Sequence, residues 1–230
     1  MLDHLVKKHF GRLHGKKQRE VIENLQVVID QAKPSYLFDA CAVPEESLRG
    51  FVQDLSGHFP SMKLVKLVNE DFGCDFFIGH QKTMTAAVER ALRGETLFID
   101  PNEKTHKLLT DGHLHSLKNT VESLSHEIQA STIIEFSPSG HGTAIYGVLL
   151  GFPFVYCQTS NAQGLSNSTL VQVKASRNNV LVSSFTVPKD LIDLNALAGD
   201  SLCKWKLSLS SNPLIAIEEL TVLPSASMSM

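Results

Sequence analysis

Three carboxylates stand at the ends of apolar segments: Asp39 in "SYLFDAC", Asp100 in "TLFID" and Glu135 in "TIIEF". Short apolar runs bounded by turn signals read as buried strands, which puts each acid at or near a strand's carboxyl edge. In a parallel α/β sheet, ligands bind at that edge, where strands give way to helices. If the three strands neighbour one another, the acids converge to hold Mg²⁺ or a ribose, or to act as a general base. If they do not, Asp39 and Asp100 simply cap the turns that follow. The third strand runs into "SPSGHG" (137–142). There Ser137, Ser139, Gly140 and Gly142 offer hydroxyls and backbone N–H groups to an anion at the start of a helix.

The glycines of this turn match no strong signature. A dinucleotide fingerprint needs GxGxxG, but position 145 is Ile. A P-loop needs Lys and then Ser or Thr after its last glycine, and a nucleophile elbow needs glycine where Ser137 stands. An acidic strand entering a small-residue turn also resembles the first motif of S-adenosylmethionine methyltransferases. The spacing is imperfect, however, and a β-rich segment follows where most of a Rossmann core belongs. A tight corner remains the bland alternative to a ligand cradle.

Ten histidines all lie at or before position 141. "HLH" (113–115) suggests a metal pair only on a strand, where residues two apart share a face. Its segment reads as a helix start, and no HExxH pattern occurs, so no metal site is expected. His80, His106 and His141 fall in loops or turns, and surface histidines are the expectation there. Cys41 and Cys157 follow apolar strands. A nucleophilic Cys41–His141 pair is one reading, and inert buried thiols are the other. The four cysteines contain no CxxC pair, which fits reduced thiols and no zinc knuckle.

Alternating elements must position these residues. Val21, Ile22, Leu25, Val28 and Ile29 form one helical stripe, closed by Pro34. Pro44, Glu45 and Glu46 open a second helix, lined by Leu48, Phe51, Val52 and Leu55. Strand "KLVKLV" (63–68), a helix through Met84, Val88 and Leu92 to Gly94, strand 96–100, a helix from Leu114 to Ile128 and strand 132–136 follow. An apolar helix and "FPFVYCQ" (152–158) complete this part. Strands apolar along their whole length argue for a mainly parallel sheet flanked by helices. After position 158 the pattern changes to a polar loop (159–169) and a hairpin, "LVQVKAS" and "VLVSSFTV", turning on Asn178-Asn179. A short helix after Pro188 and strands "CKWKLSLS" and "LIAIEELTV" make a C-terminal antiparallel β-rich extension.

Composition bounds the rest. The chain has 230 residues, 43% hydrophobic and 20% charged, ordinary for one globular α/β domain. The expected organisation is a basic N-terminal helix or arm (1–18), an α/β core (19–158), a β-rich extension (159–223) and a frayed tail (224–230). Net charge is −3, giving no global basic field for nucleic acid. Lys7, Lys8, Arg12, Lys16, Lys17 and Arg19 crowd the N-terminus, as a solvated face rather than an arginine- and serine-rich transit peptide. No segment reads as a membrane span or a secretory signal, so a cytoplasmic protein is expected, and the sequon at Asn167 carries no meaning there.

"KPSYLFD" (33–39), "YGVLLGFPFVY" (146–156) and "SFTVP" (184–188) together resemble an uncharacterised animal protein family, known only from open reading frames and without an assigned activity. The resemblance implies a soluble animal protein and supplies no catalytic residues. From the residues themselves the expected function is binding of a small anionic, nucleotide-like ligand at the sheet's carboxyl edge. A protein-interaction module using the β-rich C-terminal third is the alternative.

Overall fold

The computed structural model describes residues 1–39, 43–69, 73–100, 107–157, 168–210 and 213–222. Cys41, His106, Asn167 with most of the polar loop 159–169, and the 224–230 tail lie outside them. The first half comprises α1 (Leu2–Phe10), α2 (Gly15–Ile29), β1 (Ser35–Leu37), α3 (Glu45–His58), β2 (Met62–Asn69), β3 (Gly73–His80), α4 (Gln81–Leu92), β4 (Leu97–Asp100) and β5 (Lys107–Leu108). Then come α5 (Asp111–Ala130), β6 (Ile133–Phe136), α6 (Gly142–Leu150), β7 (Phe154–Tyr156), β8 (Leu170–Arg177), β9 (Val180–Pro188), α7 (Lys189–Leu194), α8 (Ala196–Ser210) and β10 (Ile215–Val222).

The central sheet has the order β1-β3-β2-β6, beside two three-stranded sheets, β5-β4-β7 and β10-β8-β9. Only β2–β6 and β4–β7 pair in parallel among the described strands. The sheets are therefore mixed rather than mainly parallel. The cause is β3, which lies in a stretch to which the sequence pattern assigns no element. Its register sets Asn69 opposite Gly73 and Met62 opposite His80, a hairpin with β2. An antiparallel partner needs only a short connection, whereas parallel β6 needs the long crossover through α4 and α5. Gly73 and Gly79 read as turn punctuation, yet Gly79 lies within the strand. A Cβ there would sit 3.0 Å from the Pro34 carbonyl oxygen.

Helices cover both faces of the central sheet. Met62 and Leu64 pack with Leu5, Val21, Leu48 and Phe51 of the first three helices. Val65 and Leu67 face the other way, onto Met84, Val121, Leu124 and Ile145 of α4–α6. The small sheet is likewise two-faced: Phe98 and Val155 join the α4–α6 core, while Ile99 and Phe154 join the C-terminal core with Phe185 and Trp205.

The C-terminal third is antiparallel, as its pattern implies. Asn178 and Asn179 adopt φ of 51° and 64° in the two-residue turn of β8–β9, the left-handed pair a type I′ hairpin requires. One strand expectation fails: "CKWKLSLS" belongs to α8. The alternation of Cys203, Trp205, Leu207 and Leu209 looks like period two, but burial falls on Ala198, Ser201, Leu202 and Trp205, which is helical spacing. Leu207 is left 69% exposed.

α6 packs directly on β7 through Gly147, where a Cβ would come within 2.6 and 2.7 Å of the Val155 methyls. Both residues are buried, so neither side can yield. Gly147→Ala should lower stability by about 1–3 kcal/mol, the usual cost of overpacking. The check is the urea midpoint, and an unchanged value would refute the close approach.

Candidate functional site

Parallel β4 and β7 end side by side, with Ile99 opposite Tyr156, and the Cys157 N–H donates to the Ile99 carbonyl at 2.9 Å. Asp100 and Cys157 thus sit together at two strand carboxyl ends. The turn after β6 arrives at the same place. A cavity of about 260 Å³ is lined there by Asp100 and Cys157, by Gly140 and His141 of the turn, and by Thr143 and Ala144 of α6, with His113 of α5 closing one side.

The turn is tightly specified. The His141 N–H donates to the Pro138 carbonyl at 2.9 Å, with φ of 38° at Ser139 and 82° at Gly140. That places two consecutive residues in the left-handed region. For Ser139 the conformation costs about 1–2 kcal/mol. The first helical bond of α6 runs from Ile145 to the His141 carbonyl, and no side chain caps this end. The N–H groups of Gly142, Thr143 and Ala144 consequently lack helical acceptors and form the positive end of the helix dipole.

Burial sets the protonation of the site. The Cys157 thiol is pushed up to about 12 by burial and then by the Asp100 carboxylate. It is a protonated thiol at neutral pH, not an activated nucleophile. His141 is held below its ordinary value by burial and then by the nearby His113, and its Nε2 lies 3.1 Å from the Ser116 Oγ. A neutral imidazole can therefore exchange hydrogen bonds with a ligand. The Cys41–His141 pair has its thiol outside the described residues.

The three acids do not meet. Asp100 alone lines the cavity. Asp39 is exposed just beyond β1, and β1 and β6 are opposite edges of the central sheet, three strand spacings or about 14 Å apart. Glu135 points to solvent and pairs with Lys66 at 3.5 Å and Arg49 at 3.6 Å, in a surface network with Glu45. Of the turn residues, Gly140 lines the cavity. Ser137 and Ser139 are exposed beside it and Gly142 is buried behind it. Leu109, Thr143 and Ala144 are additions that only the fold reveals, while His113 and Cys157, singled out in the sequence for other chemistry, join the lining. The HLH motif lies on α5, as its helical reading requires, and only His113 reaches the cavity. Among the described residues no three His, Cys, Asp or Glu are grouped to hold a metal, and no helix is long and apolar enough to cross a membrane.

No family model, curated protein or solved structure matches the chain.

Lowered histidine values set a sign for the pH dependence. His141 and His80 both favour the neutral form when folded, each through burial first. The unfolded chain binds protons near the ordinary value of 6.5, so the stability these groups confer is full above that pH and declines below it. The urea midpoint should fall between pH 7.5 and 5.5, above the carboxylate range, and fall less in His80→Gln/His141→Gln. Equal slopes for the two proteins would count against the assignment.

Proposed function

We propose that the cleft at the ends of β4, β6 and β7 binds a small ligand in which an anionic group stands beside hydroxyls, as in a nucleotide or sugar phosphate. One observation carries the reading: a single cavity joins the uncapped N-terminus of α6 to the Asp100 carboxylate. The N–H groups of Thr143 and Ala144, which line the cavity, take the anion. Asp100 accepts from ligand hydroxyls, the role an acid plays toward a ribose in doubly wound folds. The carboxylate also selects against a ligand that is anionic throughout. A volume of about 260 Å³ is at the lower limit for ligand pockets and suits a sugar phosphate better than a dinucleotide. The methyltransferase resemblance does not fit this cleft, since its motif acid would be Glu135, which faces Lys66 and Arg49.

Thermal shift tests this with ribose 5-phosphate and AMP, against ribose and inorganic phosphate. At a hundred times Kd a ligand adds about 2.7 kcal/mol, roughly 5–10 °C for a chain of this size. Thr143→Glu places a carboxylate where the helix dipole welcomes it, so the protein stays folded while the anion site is blocked. The shift should vanish in Thr143→Glu and shrink in Asp100→Asn. No shift for any compound, or one that survives Thr143→Glu, removes the proposal.

A second reading, a protein-interaction surface, rests on the C-terminal third. Among the described residues, seven of the eight exposed large hydrophobics lie there: Leu181, Leu194, Leu197, Leu207, Leu214, Leu220 and Val222. β10 pairs only with β8 among the described strands and is an edge, and such an edge accepts an added strand. Leu194→Gln/Leu197→Gln/Leu207→Gln should keep the thermal midpoint within about 2 °C, since surface changes cost little. It should also lose capture of any partner that the native chain retains from a cell extract. Equal capture would rule these residues out as the interface.

A further inference from the structure

We infer that the cavity enclosed by the α2–β1 connection, α4, the end of α6, β9 and α8 is a second and independent ligand site, taking the carboxylate of a small, otherwise apolar monoanion. Its volume is about 210 Å³, and Lys33, Arg90 and Ser183 line it beside the apolar Leu150, Val182 and Trp205. No carboxylate is among its described lining residues.

Two cations thus line one cavity into which no carboxylate projects, their nearest acids, Asp39 and Glu95, lying on its outer sides. Lys33 is only 8% exposed. Its Nζ donates to the Asn24 Oδ1 at 2.6 Å and lies 5.3 Å from the centre of the Tyr36 ring. An ammonium has three donors, so two remain. Arg90 is half-buried and makes no side-chain hydrogen bond or ion pair among the described residues. Glu95 is the acid whose charge reaches it; Glu95 is held by Arg93 in a fork of 2.8 and 3.3 Å and shares with Arg90 a neighbouring cavity, not this one. The Ser183 hydroxyl is 8% exposed and has no hydrogen-bond partner. Removing two charges and a hydroxyl from water costs several kcal/mol unless they are paired. A carboxylate supplies the missing partner, since the guanidinium fork and the ammonium both match its oxygens.

Burial lowers the Lys33 ammonium to about 8, partly opposed by Asp39, which keeps most of the charge at neutral pH. An adjoining cavity of about 300 Å³ shares Lys33, Leu150, Val182 and Ser183 but is also lined by Glu20 and Asp39, so the apolar part of the ligand stays against Leu150, Val182 and Trp205.

The test is titration calorimetry of the full chain with benzoate, its neutral counterpart benzamide, and phenyl phosphate. Benzoate should bind saturably and about tenfold or more tighter than benzamide, and no weaker than phenyl phosphate. Lys33→Met and Arg90→Gln should each weaken benzoate about tenfold or more and leave benzamide within about twofold. Lys33→Met keeps the apolar stem and removes a buried charge, so it should fold with an unchanged or raised thermal midpoint. If Arg90→Gln does not fold, Lys33→Met and the benzoate–benzamide contrast decide. Absence of benzoate binding, equal affinity for benzoate and benzamide, tighter binding of phenyl phosphate, or undiminished benzoate binding by Lys33→Met would each overturn the inference. Thr143→Glu should leave benzoate affinity unchanged, which separates this site from the cleft at the strand ends.

Discussion

The fold depends on a strand that is wanted on every side. β2 is hydrogen-bonded to β3 and to β6, and its side chains serve two cores, with Met62, Leu64, Val65 and Leu67 all fully buried. A register slip of one residue would exchange those sets between the two cores. Lys63 already marks the limit of tolerance, since it is 6% exposed and its Nζ reaches out to the Ser131 carbonyl at 2.9 Å. The same carbonyl neighbourhood starts β6: the Leu64 N–H donates to the Thr132 carbonyl at 2.9 Å. Fixing β2 therefore fixes where β6 begins and where its turn is delivered.

From that point the site follows by packing. β6 is buried at Ile134 and Phe136, so it cannot rotate, and the turn after it must reverse within a few residues. α6 then leaves with nearly all of its first turns buried and is pressed onto β7 by the absence of a side chain at Gly147. β7 is held by β4, and Asp100 and Cys157 end up opposite the first turn of α6. The cleft is a consequence of three constraints on backbone position. This explains why its polar groups come from four separate stretches of chain.

Sequence patterns disclosed much of this and missed the rest for identifiable reasons. Helical stripes such as Leu48, Phe51, Val52 and Leu55 read correctly because one face is apolar and the other charged. The Asn178-Asn179 hairpin read correctly because turn chemistry is local. β3 did not, since its glycines look like loop residues until Pro34 and Met84 are seen pressed against Gly79. α8 did not, because four apolar residues at alternate positions imitate a strand when the helix leaves Leu207 exposed. At the site, Asp100 and Gly140 were legible as a strand-end acid and a turn glycine. Whether Asp39 and Glu135 joined them depended on strand order, which no local pattern encodes. Lys33 was invisible for a related reason: beside Pro34 it reads as helix-ending punctuation, and only the tertiary fold shows that β9 and α4 close over it.

α6 joins the two cavities, one at each of its ends. It is nine residues long, about 13 Å, with the cleft at its N-terminus and the Lys33–Arg90 cavity at its C-terminus. A helix C-terminus ordinarily offers partial negative charge to nearby cations. Here that charge is already claimed. The Gly147 and Val148 carbonyls accept from the Phe152 and Gly151 N–H groups, and the Leu149 carbonyl accepts from the buried Ser35 hydroxyl at 2.6 Å. Even an unclaimed terminus would offer only about half a charge against two full ones. The cations beside it thus keep most of their field, while the other end of the helix has no cap at all. One helix is closed by the protein at its C-terminus, beside Lys33 and Arg90, and left without a side-chain cap at its N-terminus, where Asp100 shares the cleft. The two differ in their companions: Asp100, His113 and His141 line the cleft at the strand ends, and Trp205, Val182 and Leu150 line the cavity at the other end.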